Sequence, residues 1–193
     1  LRESVELDSC GRLASVQADV DFMMERQELA CTLQRMLDEK LLPLRVTHND
    51  TKLNNVMLDN ITGKPVAVID LDTVMPGLSL YDFGDSIRFG ANTAAEDEKD
   101  VSKVSLSLEN FRAYTLGYLS TAGESLTKNE IEQLAFSSKL MTLECGVRFL
   151  TDYLEGDTYF KIHRPKHNLD RARAQFAMCR DIIYKYDALN NII

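Results

Sequence analysis

The chain has few cysteines, and Cys10, Cys31, Cys145 and Cys179 are scattered with no C-x-x-C pair among them. That spacing argues against a disulfide framework, and their positions on apolar helical stretches predict reduced thiols in the core. No apolar run approaches the ~20 residues that span a bilayer, and Leu1-Arg2-Glu3-Ser4 lacks a signal-peptide layout, so a cytoplasmic protein with no membrane partner is expected. Basic residues are outnumbered, 22 Lys and Arg against 30 Asp and Glu, for a net charge of −8. Nucleic acid requires clustered cations, and it is not expected as a partner either. With no internal repeat and no low-complexity segment, 193 residues fit one domain over residues 1–193.

What is present is mostly helical patterning around a short β-rich centre. Residues 13 to 40 contain no Gly or Pro, and Leu29, Leu33, Met36 and Leu37 recur at helical spacing, which predicts a long helix or a helix pair ended by Pro43. Arg45 to His48 reads as a short strand. Val56-Met57-Leu58 and Pro65-Val66-Ala67-Val68-Ile69 flank the turn-forming Asp59 to Lys64 and predict a hairpin. Ala91 to Asp100 reads as an acidic, mobile link. Thr127-Lys128-Asn129-Glu130 has capping-box spacing, so a helix is expected from there to about Leu154, ending at Gly156. Leu169, Ala172, Phe176, Cys179 and Ile183 should form the buried stripe of a final helix.

Chemistry concentrates at the centre. His48-Asn49-Asp50-Thr51-Lys52-Leu53-Asn54-Asn55 has the pattern H-x-D-x-x-x-x-N, and Val68-Ile69-Asp70-Leu71-Asp72 follows on the next extended run. Phosphoryl transfer asks a protein for a positioned acceptor and neutralised phosphate charge. Asp50 would orient and deprotonate the acceptor hydroxyl, while Asn55 and Asp70 offer hard oxygen ligands to Mg2+ carrying ATP. Asp72 could serve the metal, the substrate or a backbone turn. Lys52 stands where its ammonium could steady the moving phosphate, or it is simply an exposed lysine. His48 has no second His or Cys spaced to form a metal site, and as a neutral imidazole it would brace the loop. Asp82 and Asp85, in Tyr81-Asp82-Phe83-Gly84-Asp85, either accept hydrogen bonds from that loop or cap a helix.

At these residues the chain resembles the carboxy-terminal lobe of the aminoglycoside-phosphotransferase and choline-kinase group, relatives of the protein kinases. His48-x-Asp50 with Asn55 matches the catalytic loop of that group, and Ile69-Asp70 its metal-binding segment. Within the group the chain is similar to N-acetylhexosamine 1-kinases, whose His-Asn-Asp-Thr-Lys, Val-Ile-Asp-Leu-Asp-Thr and Tyr-Asp-Phe-Gly-Asp runs match His48 to Lys52, Val68 to Thr73 and Tyr81 to Asp85. The resemblance implies an α+β, mostly α fold: the carboxy-terminal lobe of a protein-kinase-like enzyme with a small β-hairpin carrying the active site. It implies transfer of the ATP γ-phosphate to the anomeric hydroxyl of an N-acetylhexosamine, with Asp50 activating that hydroxyl and Arg148 and Tyr159 contacting the sugar. The other reading of Arg148 and Tyr159 is an internal ion-pair network and a surface tyrosine.

The resemblance also implies a missing part. The group binds nucleotide largely through an amino-terminal lobe with a Gly-rich or equivalent loop and a Lys-Glu pair, and no such segment occurs here. The chain is therefore expected to be part of a longer protein and to be inactive alone. Rival readings are a kinase of the same group acting on choline, homoserine or an aminoglycoside, and a kinase-shaped binding domain without catalysis. Sulfate hydrolysis finds no support, because no cysteine is followed by Pro and Arg in the C/S-x-P-x-R manner.

Overall fold

Apolar periodicity becomes helix along most of the chain in the computed structural model, which describes residues 1–193. Before the first strand lie α1 (Arg2–Leu7), α2 (Gln17–Met24), α3 (Gln27–Ala30) and α4 (Thr32–Asp38). The segment expected as one helix or a pair is thus three short ones. The first break has a clear cause: Arg26 leaves helical geometry, stacks over the Phe22 ring and donates from Nη1 to the Phe22 carbonyl at 2.8 Å, which caps the end of α2.

Four short strands follow: β1 (Arg45–Thr47), β2 (Val56–Leu58), β3 (Pro65–Val68) and β4 (Met75–Gly77). β2 and β3 form the expected hairpin, with Val56 opposite Val68. Its turn is closed by Asp59, whose Oδ1 accepts from the Thr62 amide at 2.7 Å, and by Gly63 in the left-handed region. A second antiparallel pair, β1 with β4, encloses the first and sets Thr47 opposite Met75. This nesting matters for function, because it brings the segment after β1 and the segment after β3 side by side.

The rest is helical: α5 (Ser79–Gly90), α6 (Leu108–Ala122), α7 (Lys128–Glu132), α8 (Leu134–Leu154), α9 (His167–Tyr184) and α10 (Tyr186–Asn190). Thr127 and Glu130 form the expected capping box, but the helix they start ends at Glu132, and α8 begins after a non-helical Gln133. α8 packs between α5 and α9. Gly84 permits the first approach, since a Cβ there would overlap the Ser137 carbonyl oxygen and the Met141 side chain. Phe83, Ile87, Phe111 and Leu134 fill one apolar cluster, and Val20, Leu143, Leu150 and Phe176 another.

Three expectations need correction. Only Cys179 is buried; Cys145 is half-buried, and Cys10 and Cys31 are exposed, the first in the turn after α1 and the second in the break between α3 and α4. On α9, Ile182 is buried and Ile183 is 40% exposed, because the stripe continues from Cys179 by three residues, not four. The acidic segment 91–100 is no loose link. Glu96 accepts from Arg88 at 2.8 Å, and Asp97 accepts from Arg164 at 2.8 Å and from His167 at 2.9 Å.

Candidate active site

The segment between β1 and β2 is held from both sides. Thr73 Oγ1 donates to the His48 carbonyl at 2.6 Å, and the buried Thr47 hydroxyl donates to the Met75 carbonyl at 2.9 Å. From α5, the Asp82 carboxylate accepts from the backbone amides of His48 at 2.8 Å and Asn49 at 2.7 Å. The Thr51 hydroxyl donates to the Asp82 carbonyl at 2.6 Å. Asp82 thus shapes the loop, as one of its two readings had it. His48 braces it from within: Nδ1 accepts from the Asp50 amide at 3.3 Å, which leaves Nε2 to donate to the Ile69 carbonyl at 2.9 Å. Asn49 takes a positive φ of 63°, which turns the chain sharply just before Asp50.

Asp50 projects from this loop into a set of donors. Lys52 Nζ donates to Asp50 Oδ2 at 2.7 Å, and Asn55 Nδ2 donates to the same oxygen at 2.9 Å. Partial burial pushes the Asp50 carboxyl upward, but the Lys52 and Asn55 bonds outweigh it and the net shift is downward. The Asp50 bond correspondingly raises the Lys52 ammonium. The carboxylate is therefore ionised and oriented, with Oδ1 free of hydrogen bonds. An oriented, ionised carboxylate can accept a proton from a hydroxyl placed against it.

Asp70 reaches the same neighbourhood from the other segment. The Ile69 amide donates to the Asn55 carbonyl at 2.9 Å, and Asp70 comes next, in left-handed geometry with φ 65°. That turn ends β3 and aims the chain back toward β4. Asp72 lies close enough to share a hydrogen bond with the Asp70 carboxyl and raises its pKa. No three His, Cys, Asp or Glu side chains converge in the chain. The donor set nevertheless suits a hard cation. Asn55 is buried and its Oδ1 accepts no hydrogen bond, while two adjacent carboxylates repel each other unless a proton or a cation lies between them.

Beside the loop opens a cavity of about 490 Å³ between α2, α3, α5 and α8. Asn49 forms one edge, so the cavity reaches the residue next to Asp50. Arg148, singled out in the sequence, lines it; Tyr159 does not, and is 75% exposed. The two remain neighbours, with the Arg148 guanidinium 6.0 Å from the Tyr159 ring centroid and 5.4 Å from that of Phe160. Glu144, one turn before Arg148, approaches it at 3.8 Å.

Several lining residues escaped the sequence reading. Met23 comes from the end of α2, Arg26 from the break after it, Gln27 from the start of α3, and Tyr81 from the start of α5. No local pattern marked them, because they meet only when α2 packs over α8. Asp85 was expected to hold the loop or to cap a helix, and it does neither: its Oδ1 accepts from Arg88 Nε at 2.7 Å, and the residue lines the cavity.

The family model described as "Phosphotransferase enzyme family" matches residues 2–113, more than half of the chain, and the matched range takes in the segments that carry Asp50 and Asp70 and the whole of α5. No helix is long and apolar enough to cross a membrane.

Proposed function

Because the chain belongs to the phosphotransferase enzyme family, we propose that it is the carboxy-terminal, acceptor-binding part of a kinase that transfers the ATP γ-phosphate to a sugar hydroxyl, the anomeric hydroxyl of an N-acetylhexosamine in the first instance. The observation that carries this reading is Asp50, an ionised carboxylate held by Lys52 and Asn55 on a loop that borders the cavity.

In this reading the acceptor sits in the cavity with one hydroxyl against Asp50. Asp50 takes the hydroxyl proton as the oxygen bonds to the γ-phosphorus, and the bond from that phosphorus to the bridging oxygen breaks, releasing ADP. Lys52 lies beside the moving phosphoryl group and offsets its charge. Asn55, Asp70 and Asp72 would hold Mg2+, which when bound neutralises phosphate oxygens. Arg148 orients the acceptor from the cavity wall, whereas Tyr159 lies outside the lining and takes no part in this reading. The cavity wall is mixed, with seven hydrophobic residues among thirteen, and suits a ligand that has both hydroxyls and an acetyl methyl group.

Adenine would be covered by an amino-terminal lobe outside residues 1–193. The β2–β3 hairpin supports this, since Ile61, Val66 and Val68 are each more than half exposed and form apolar surface that a neighbouring lobe would bury.

The test is a panel of acceptors offered to the intact protein with ATP and Mg2+, the products being separated by phosphorus NMR. A hexosamine 1-phosphate is expected. Transfer to choline, homoserine or an aminoglycoside in preference to every sugar would overturn the sugar assignment, and ATP-independent release of sulfate from a sulfated hexosamine would overturn the reaction class.

A further inference from the structure

Asp85 stands on α5 one turn past the loop-shaping Asp82, and its surroundings differ from those of every other carboxylate near the site. Its side chain is 13% exposed, and Oδ1 is taken by Arg88 Nε at 2.7 Å while Oδ2 has no hydrogen-bond partner within the protein. Arg88 is itself buried and is fixed at its far end by Glu96, to which Nη1 donates at 2.8 Å. A guanidinium held at both ends cannot swing away, so the Asp85 carboxylate is locked in one orientation. It lines the cavity that Asn49 and Arg148 also line. One carboxylate oxygen is thus occupied and the other, which is not sealed from the cavity, is free to accept a hydrogen bond from whatever fills it.

We infer that Asp85 is a specificity-determining residue, which accepts a hydrogen bond from a hydroxyl of the bound acceptor other than the one phosphorylated, and that Arg88 is the positioning residue that holds it there. This rests on the proposed function of the same site. The charge around the cavity favours a neutral polyol over an amine. Arg26 and Arg148 balance Asp85 and Glu144 on its wall, and Arg88 stands behind Asp85.

The experiment uses the intact protein with ATP and Mg2+, its preferred sugar and the full set of monodeoxy analogues of that sugar. For the wild type, removal of one hydroxyl other than the phosphorylated one is expected to lower kcat/KM by tenfold or more, on the order of the loss seen when a buried polar group of a binding site loses its partner. Asp85→Asn is expected to raise KM for the parent sugar about tenfold with kcat within about threefold, and to lose nothing further with that analogue. Should Asp85→Asn fail to fold, the paired variant Asp85→Asn, Arg88→Met leaves no buried guanidinium facing a lost carboxylate and reads the same cycle. If the variant discriminates the analogue as strongly as the wild type does, or all substrates fall by one common factor, the Asp85 assignment is overturned and the phosphotransferase reading stands. If the wild type phosphorylates no sugar at all, both are overturned.

Discussion

Asn55 donates twice to Asp50 through one amide nitrogen, to the backbone carbonyl at 2.8 Å and to carboxylate Oδ2 at 2.9 Å. The residue that ends the loop therefore fixes the residue that begins its chemistry. Its remaining group, Oδ1, accepts no hydrogen bond, and in the proposed mechanism it would face Mg2+. Asn55→Ala removes both functions at once, and a fall in kcat of roughly 10²–10³ is expected, the size of loss typical of a single preorganised active-site group. Steady-state rates over a Mg2+ titration check it; a variant with an unchanged Mg2+ requirement and rate would remove Asn55 from the site.

Asp50→Asn keeps the shape of the side chain and removes its basicity. Turnover by the intact protein should be abolished while sugar affinity, measured by calorimetry, stays within a few-fold. A retained rate would mean that the proton leaves by another route.

The ion pair with Lys52 sets the pH range of the base. The folded Asp50 pKa lies below the usual carboxylate range, because the Lys52 and Asn55 bonds overcome burial. Asp50 thus stays ionised, and kcat/KM stays flat, until the pH falls below that range. Lys52→Met takes away the largest lowering contribution, so the acid limb of the kcat/KM profile should move to higher pH and the plateau should drop. An acid limb at the same pH in both proteins would show that Asp50 is not the group being titrated.

Glu130 makes a related prediction for stability. It is 1% exposed and accepts from Arg45 Nε at 2.6 Å, Ser79 Oγ at 2.7 Å and the Thr127 amide at 2.8 Å. Burial alone would raise its pKa, but these donors bring it down from 4.5 to about 2. A depressed folded pKa stabilises the fold fully above the unfolded value, and that contribution is lost as the pH falls from about 4.5 toward 2. Glu130→Gln should cost roughly 3 kcal/mol at neutral pH, as breaking a buried charged pair does. Thermal melts should show the gap between the two proteins closing across that pH window.

Gly84 reports on the packing that places Asp82 and Asp85. A methyl group there meets the Ser137 backbone of α8, which cannot yield as a side chain could. Gly84→Ala is expected to destabilise by about 1–3 kcal/mol despite the better helix propensity of alanine. A melting temperature equal to or above that of the wild type would show that α5 and α8 are not in this close contact.

Sequence and tertiary structure each decided a separate part of this protein. Asp50, Asn55 and Asp70 were legible in the chain because they occupy one loop and the end of one hairpin, where local spacing carries the geometry: Asn55 reaches Asp50 within a single turn of chain, and the Val56–Val68 pairing sets Asp70 beside them. The β2–β3 hairpin and the Thr127 cap were legible for the same reason, since turns and caps are satisfied by neighbours in sequence. The cavity beside the loop was not. Arg26, the α5 residues Tyr81 and Asp85, and Arg148, the one of them that the resemblance had named, come from three distant parts of the chain and meet only through the packing of the helices. Arg26, Asp85 and Arg148 do have partners within one helical turn, at Phe22, Arg88 and Glu144, but pairs of that spacing occur on solvent-facing surfaces as well, and a polar residue on a helix reads as solvent-facing until another helix covers it. The chain by itself determined the loop that joins Asp50 to Asn55 and the hairpin that ends at Asp70; only the packed helices decided what faces them, because side-chain direction across an interface depends on both surfaces.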